Sequence, residues 1–430
     1  MRILTICPGL GIGGTERSAV NFTLGYREAG HEVAFLNHGA HGLRRAVLED
    51  AGVPVFTAGA NPEGALAEAG RFDPEIIHIH RRGWRDDRET RLMKHLRASH
   101  RRILEQNVFG GADYSAGGRL VDVHLHLSGW CLWRWRRWLR AGGSRAVGVI
   151  IPDPVRAVDF RRATDAEIVA FREKLGIKRA AFVCGRVGQP LCGKWHPQMF
   201  SSFAELAAAD REAHLVVMGM PAGLAGAVQS LPGGVRRRIV QLPVSEFDAE
   251  LRTVYSALDC FLHIANQGES FGLVLVEAML CGTPVVTVSQ PHRDNSQAEV
   301  VGHRRGGLVA GSMGHVTQAL LRMHDDVTLR ESIRAGVREA ASSRFDVSVV
   351  VRKAIRVAEI ALAASGPGGL QARLRDDGEL ESAVDEARID ALIHDVEGSP
   401  SRWDLARMRL LHTPAVNRAK CSLRRVIREN

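Results

Sequence analysis

The stretch Cys260-Phe-Leu-His-Ile-Ala-Asn-Gln-Gly-Glu-Ser-Phe-Gly-Leu-Val-Leu-Val-Glu-Ala-Met-Leu-Cys-Gly-Thr-Pro-Val-Val-Thr-Val288 decides the fold. The apolar run Cys260–Ile264 is too short for a helix and reads as a buried strand. A glycine-bearing turn follows. An apolar helix over Phe271–Cys281 is then closed by Gly282-Thr-Pro284, and Pro284–Val288 reads as the next buried strand. Strand, helix and parallel strand in this order make a βαβ unit. Glu269 and Ser270 fall in the strand-to-helix loop, and Glu277 about two turns further on. The N–H groups of Phe271, Gly272 and Leu273 lie at the helix start, where unpaired donors and a partial positive charge suit a diphosphate. A glycine there lets the backbone approach closely. Two carboxylates at this spacing cannot both touch one atom. One, Glu269, would face a sugar at the mouth of the loop, and the other, Glu277, would reach vicinal hydroxyls such as those of a ribose.

The same alternation extends in both directions. Strands at Ala181–Cys184, Leu215–Met218 and Ile239–Leu242, with helices Pro197–Ala209 and Glu246–Leu258, complete an array that closes near residue 343. The first half repeats it with strands Ile3–Cys7, Val33–Leu36, Val53–Phe56, Ile76–Ile79, Arg102–Glu105, Val121–Leu127 and Ala146–Ile150, and helices such as Thr15–Ala29 and Arg88–Ser99. Ile150-Ile-Pro-Asp-Pro-Val155 interrupts the alternation, and its prolines favour an extended connector. The expected architecture is α/β, with Rossmann-like doubly wound domains over 1–155 and 156–345. Ligands of such sheets bind outside the carboxyl ends of the strands, here in a cleft between the two domains. Apolar spacing predicts a long helix over Phe345–Leu362, so residues 346–365 form a helix packing back toward the N-terminal domain. Gly366-Pro-Gly-Gly369 breaks the chain, and 366–430 form an extension, acidic over 374–397 and basic over 402–428.

Composition sets the outer bounds. The 430 residues are 45% hydrophobic, enough for a sizeable core, and the formal charge of +9 favours anionic partners. No nucleic-acid-binding module accompanies that charge, so no nucleic acid partner is expected. The 7 cysteines have no C-x-x-C spacing, which reads as reduced thiols in the cytoplasm. No signal peptide is visible, and no stretch approaches the ~20 apolar residues that cross a bilayer.

A second element complements the acidic pair. In Cys184-Gly-Arg-Val-Gly-Gln-Pro-Leu-Cys-Gly-Lys-Trp-His-Pro197 a buried strand opens into a glycine-rich loop that carries Arg186 and Lys194. Two cations neutralise a diphosphate leaving group, and guanidinium adds bidentate contact. Near the N-terminus, Gly9-Leu-Gly-Ile-Gly-Gly14 matches the dinucleotide fingerprint, but Asn37 stands where that fingerprint needs an acid. The alternative reading of Gly13-Gly14-Thr-Glu16 is a small-residue turn that lets helix-start N–H groups approach an anion or a sugar. A tight turn with no ligand is the third.

Over roughly residues 1–345 the sequence resembles glycosyltransferase family 4, the retaining GT-B class. The motifs are Gly13-Gly-Thr-Glu16, the pair Arg186 and Lys194, and above all Glu269 through Glu277 as E-x7-E; Val285–Val288 and Asp294-Asn-Ser-Gln-Ala-Glu299 also fit. The resemblance implies that Arg186 and Lys194 hold donor phosphates, that Glu269 contacts the donor sugar and that Ser270–Leu273 bind phosphate and sugar oxygens. It implies further that Glu277 binds the ribose and that the base lies near Gly219 and Leu242–Pro243. The co-substrate is then a nucleotide-diphosphate sugar, with no cofactor and no metal, since there is no D-x-D. Where family members carry a histidine after the fifth strand, this chain has Asn107, which hydrogen-bonds but cannot exchange a proton near neutral pH.

His78 and His80 share a strand face, and His80 reads either as a lining for a glycan or lipid-linked acceptor or, with His78, as a satisfied structural histidine, a metal site from two histidines alone being the least expected. Trp130-Cys-Leu-Trp-Arg-Trp-Arg-Arg-Trp-Leu-Arg140 reads either as a peripheral membrane contact or as a helix with its tryptophans on the core side. Together these features point to a cytoplasmic enzyme at the inner face of the membrane, in cell-surface polysaccharide or glycolipid synthesis. A sugar-nucleotide epimerase and a non-catalytic nucleotide-binding homologue are the alternatives.

Overall fold

A computed structural model describes residues 1–58, 62–139, 146–245 and 247–419. The chain divides into two compact units. One comprises Met1–Pro154, Val347–Ile389 and the chain from Arg409; the other comprises Val155–Asp346 and Asp390–Met408. Each contains its own parallel sheet, and the fold is the pair of Rossmann-like α/β units that defines GT-B structures.

In the first unit the strands are β1 (Arg2–Gly9), β2 (Glu32–Ala40), β3 (Val55–Thr57), β4 (Ile76–Arg81), β5 (Arg102–Asn107), β6 (Val123–His126) and β7 (Val147–Ile150). They lie in the order β3-β2-β1-β4-β5-β6-β7, every pair parallel. Both faces are covered, which is why the strands read as continuous apolar runs rather than alternating ones. Gly14–Glu28 and Val347–Ala363 pack on one face, around Phe22, Tyr26, Val350 and Val357. Ala65, Ala69, Met93 and Leu96 cover the other. Gly25 explains the close approach of those first two helices, since a Cβ there would lie 2.6 Å from a methyl of Val351.

In the second unit β8 (Val183–Val187), β9 (His214–Met218), β10 (Ile239–Leu242), β11 (Cys260–Leu262), β13 (Val285–Val288) and β15 (Gly307–Ala310) form a sheet in the order β10-β9-β8-β11-β13-β15. A separate short ladder pairs β12 (Gly268–Glu269) with β14 (Asp294–Asn295). Neither β15 nor the short ladder is visible as an apolar run. β15 is only Gly-Leu-Val-Ala, and the ladder is polar.

Three sequence expectations need correction. The helix after Glu269 begins at Leu273, not Phe271, because Gly272 sits in the left-handed region at φ 93° and acts as its cap. The helix expected over Glu246–Leu258 runs Asp248–Ser256, and Glu246 lies outside the described residues. The C-terminal extension is not separate from the two units. Ile150 N–H donates to the Glu381 carbonyl in the first, and Gly311 N–H to the Glu397 carbonyl in the second. Arg140 and the Arg424–Arg428 end of the basic tail also fall outside the described residues.

Candidate functional site

In the second sheet the strand order reverses between β8 and β11, and ligands of doubly wound sheets bind at such a switch point. Arg186 lies at the carboxyl end of β8 rather than on the loop beyond it, and His263 directly follows β11. Arg186 is buried. It donates to the carbonyls of Val187 (2.5 Å) and Lys194 (2.7 Å), and its guanidinium lies over the rings of Trp195 (5.2 Å) and Phe261 (5.7 Å). Burial lowers its pKa to about 10, so it stays cationic at neutral pH. Its donors thus shape the loop, which Trp195 closes through an indole N–H bond to Gln189 (2.8 Å).

That loop presents Lys194 to Glu269. The Nζ–Oε2 distance is 2.5 Å, with the lysine side chain 38% exposed and the glutamate 5%. The other carboxylate oxygen, Oε1, lies 3.3 Å from His263 Nε2, and His263 Nδ1 lies 3.5 Å from Thr287 Oγ1. Burial opposes ionisation of Glu269, but the Lys194 charge and the His263 hydrogen bond outweigh it and hold the carboxyl well below the usual range. Burial and the Arg186 charge push His263 down to about 4, so its ring is neutral. Glu269 is then an acceptor only. Nε2 must carry the proton and Nδ1 must accept from Thr287. The Glu269 backbone is fixed too, its N–H bonded to Gln297 Oε1 at 3.0 Å across the short ladder.

Nearby backbone completes the site. Ser270 and Phe271 are buried, with Phe271 edge-on to Phe345 (5.4 Å), and Gly272, Leu273 and Val274 open the helix, where N–H groups have no intrahelical partner. Glu277 is buried, and its Oε2 accepts the Tyr255 hydroxyl at 2.8 Å. Gly219 has φ 77° and donates to the Leu242 carbonyl (3.1 Å), and a Cβ on it would lie 2.1 Å from the Gly188 carbonyl oxygen. The structure therefore brings Arg186, Lys194, Glu269 and the start of the Leu273 helix together, with Gly219 and Leu242 at the ends of the neighbouring strands β9 and β10. Sequence reasoning missed His263, Tyr255 and Gln297. The signal for His263 was a lone imidazole inside an otherwise apolar run just before the acidic motif.

The first-unit candidates fare differently. His78 and His80 share a face, with ring centroids 4.7 Å apart, but both are fully buried against Phe22, so His80 is a core residue and not an open lining. Asn107 is buried as well. Its carboxamide bonds the Gly111 carbonyl (2.8 Å) and the Gly111 N–H (3.0 Å), so it closes its own loop. Gly13 precedes the first helix and Gly14 begins it, and the Glu16 carboxylate folds back over Gly13 where a Cβ would stand. Asn37 is spent on the N–H of Gly39 (3.1 Å), which removes the place of a ribose-binding acid. Trp130, Trp133, Trp135 and Trp138 are all buried, three of them against His412, so that helix is not an exposed aromatic stripe. The exposed tryptophan is Trp403, 80% accessible on Arg402–Leu411, beside exposed Arg402, Arg407 and Arg409. Among the described residues no helix is long and apolar enough to cross a membrane.

The fold defines a GT-B architecture, with the cations Arg186 and Lys194 and the carboxylates Glu269 and Glu277 gathered in the second unit. Known proteins agree at that level. Residues 179–326, all in the second unit, match the family described as Glycosyl transferases group 1. The chain is 32% identical over 176 residues to the D-inositol 3-phosphate glycosyltransferase of Mycolicibacterium gilvum (strain PYR-GCK), covering 39% of this chain and 35% of that protein. It is 36% identical over 143 residues to the protein of that name from Rhodococcus jostii (strain RHA1), covering 30% of each. It thus spans about a third of the curated relatives it matches. Anabaena Alr3699/HepE, solved in complex with UDP, superposes with a TM-score of 0.67 at 19% identity, covering 84% of this chain and 100% of that one.

Proposed function

We propose that this chain is a retaining glycosyltransferase of family 4, moving a sugar from a nucleotide-diphosphate donor to a glycan or lipid-linked acceptor in cell-surface polysaccharide or glycolipid synthesis. The observation that carries this reading is Lys194 held on Glu269 at the switch point of the second sheet, beside a glycine-capped helix start. Lys194 and the helix-start N–H groups receive the diphosphate. Arg186 adds fixed positive potential and supports the loop. Glu269 faces the sugar as an anion, Glu277 takes a ribose hydroxyl, and the base lies over Gly219 and Leu242. Catalysis comes from positioning and from stabilising the departing diphosphate, without a metal or other cofactor. Relatives solved with UDP and with UDP-glucose favour a uridine donor here. The membrane contact is assigned to the Arg402–Leu411 helix, where Trp403 and Leu410 are exposed among arginines.

The test is incubation with a panel of nucleotide sugars, scoring release of nucleotide. Lys194→Ala is expected to abolish release while the fold survives, and a wild-type rate in that variant would overturn the assignment. Interconversion of donors without release would indicate an epimerase, and binding without either would indicate a non-catalytic homologue. For the membrane contact, sedimentation with anionic vesicles is expected to fail for Trp403→Ala; equal sedimentation would refute it.

A further inference from the structure

The reaction leaves His263 without a role, yet it is among the most constrained groups of the site. Four polar side chains face its ring, each from a different element: Arg186 from β8, Lys194 from the loop after it, Glu269 from β12 and Thr287 from β13. The two cations are not equivalent. Arg186 is buried and holds the carbonyls of Val187 and Lys194, so it cannot move without undoing the loop. Lys194 is partly exposed on a flexible stem, and only its ammonium can turn to an incoming anion. It cannot neutralise Glu269 and a diphosphate equally at once. Once it turns away, Glu269 is a buried anion whose remaining side-chain hydrogen-bond donor among the described residues is the neutral His263 ring.

We propose that His263 is a positioning residue for Glu269, keeping the carboxylate aimed by its Nε2–H bond to Oε1 after Lys194 has turned to the donor diphosphate. This rests on the donor-site reading above. Thr287 fixes the ring in the tautomer that donates, and the neutral ring adds no charge to repel Lys194 or Arg186. A leucine or valine at residue 263 would pack as well in the strand end but would leave the carboxylate free to rotate.

Three variants test it. His263→Phe keeps a flat ring and removes the donor. His263→Gln places an amide N–H near the position of Nε2. Thr287→Val releases the ring. Calorimetry with UDP and GDP reads donor-site integrity, and nucleotide release reads kcat and KM. His263→Phe is expected to bind the diphosphate as the wild type does while kcat falls on the order of a hundredfold, the scale of a small misplacement at a reacting centre. His263→Gln recovers most of that loss, and Thr287→Val shows a smaller fall in kcat at unchanged KM. A wild-type kcat in His263→Phe, or a glutamine variant no better than phenylalanine, overturns the proposal. If His263→Phe does not fold, an unchanged kcat in Thr287→Val overturns it. A wild-type protein that releases nucleotide from no donor overturns the donor-site reading and this proposal with it, whereas an active wild type with an indifferent His263→Phe overturns this proposal alone.

Discussion

Glu269→Gln should tighten nucleotide binding while it destroys turnover. The carboxylate stays ionised at working pH, so the amide is a true removal of charge at constant size. In the wild type a diphosphate has to draw Lys194 off Glu269 across a 2.5 Å ion pair. That pair lies between two regimes. Exposed pairs contribute about 0.2–1 kcal/mol, and breaking a fully buried one costs about 3–5 kcal/mol. With the lysine 38% and the glutamate 5% exposed, the pair is worth roughly 1–2 kcal/mol after discounting the buried figure for solvent screening. Tenfold in affinity corresponds to about 1.4 kcal/mol, so releasing Lys194 should improve UDP or GDP affinity by roughly 5- to 30-fold. The gain should shrink at high salt, because the lysine end is open to solvent. Turnover should fall by about 10²–10³, the usual consequence of removing one group aimed at developing charge. Titration calorimetry at low and high salt gives the first quantity and nucleotide release the second. Equal or weaker nucleotide affinity in Glu269→Gln would show that Glu269 does not hold Lys194 away from the phosphate, and the division of labour in the site would fall.

Gly219→Ala places a Cβ against the Gly188 carbonyl oxygen at a positive φ, so it should cost more than about 1 kcal/mol and weaken UDP or GDP binding more than it lowers the melting temperature of the whole chain. Calorimetry beside a thermal melt separates the two. Tyr255→Phe withdraws the hydroxyl from buried Glu277 and should destabilise by about 1–3 kcal/mol, read as a lower urea midpoint at unchanged slope. Asp153, buried beside Ser18 and Gln106, has its pKa raised to about 6 by burial, against the hydrogen bonds those two side chains supply. Between its ordinary value and pH 6 the folded chain holds a proton that the unfolded chain has lost, so this contribution is present at low pH and is lost as pH rises through 6. The shift corresponds to about 3 kcal/mol, and Asp153→Asn should recover much of it at neutral pH and flatten that part of the stability profile, measured as urea midpoint against pH.

Much of the fold is legible because a parallel sheet covered on both faces needs apolar runs at every strand. β1, β4, β5 and β9 all stand close to where those runs lie. β2 runs on to Ala40, four residues past Leu36, the end of its apolar run, because Asn37 and His38 are buried at the strand end and polar residues there look like loop. The tryptophan helix was ambiguous for another reason. Its cover includes His412, some 280 residues on, and no local periodicity reports a contact at that separation.

The candidate site was legible where its chemistry is written as a spacing and hidden where it depends on contact. Glu269 and Glu277 are eight positions apart on one turn and helix, and Arg186 and Lys194 stand on one strand end and the loop that follows it, so their types and spacing carry the argument. The pairing of Lys194 with Glu269, 75 residues apart, follows only from the β8–β11 switch that sets two loops side by side. His263 lies six residues before Glu269, yet a strand end and a turn separate them, and a single histidine in a strand usually packs in a core. His78 and His80 are that ordinary case, with Tyr26 bonded to His78 at 3.0 Å and, among the described residues, no carboxylate bonded to either ring. What distinguishes His263 is an ionised carboxylate at one nitrogen and a hydroxyl at the other, an arrangement that fixes its tautomer and hence the direction in which it can donate.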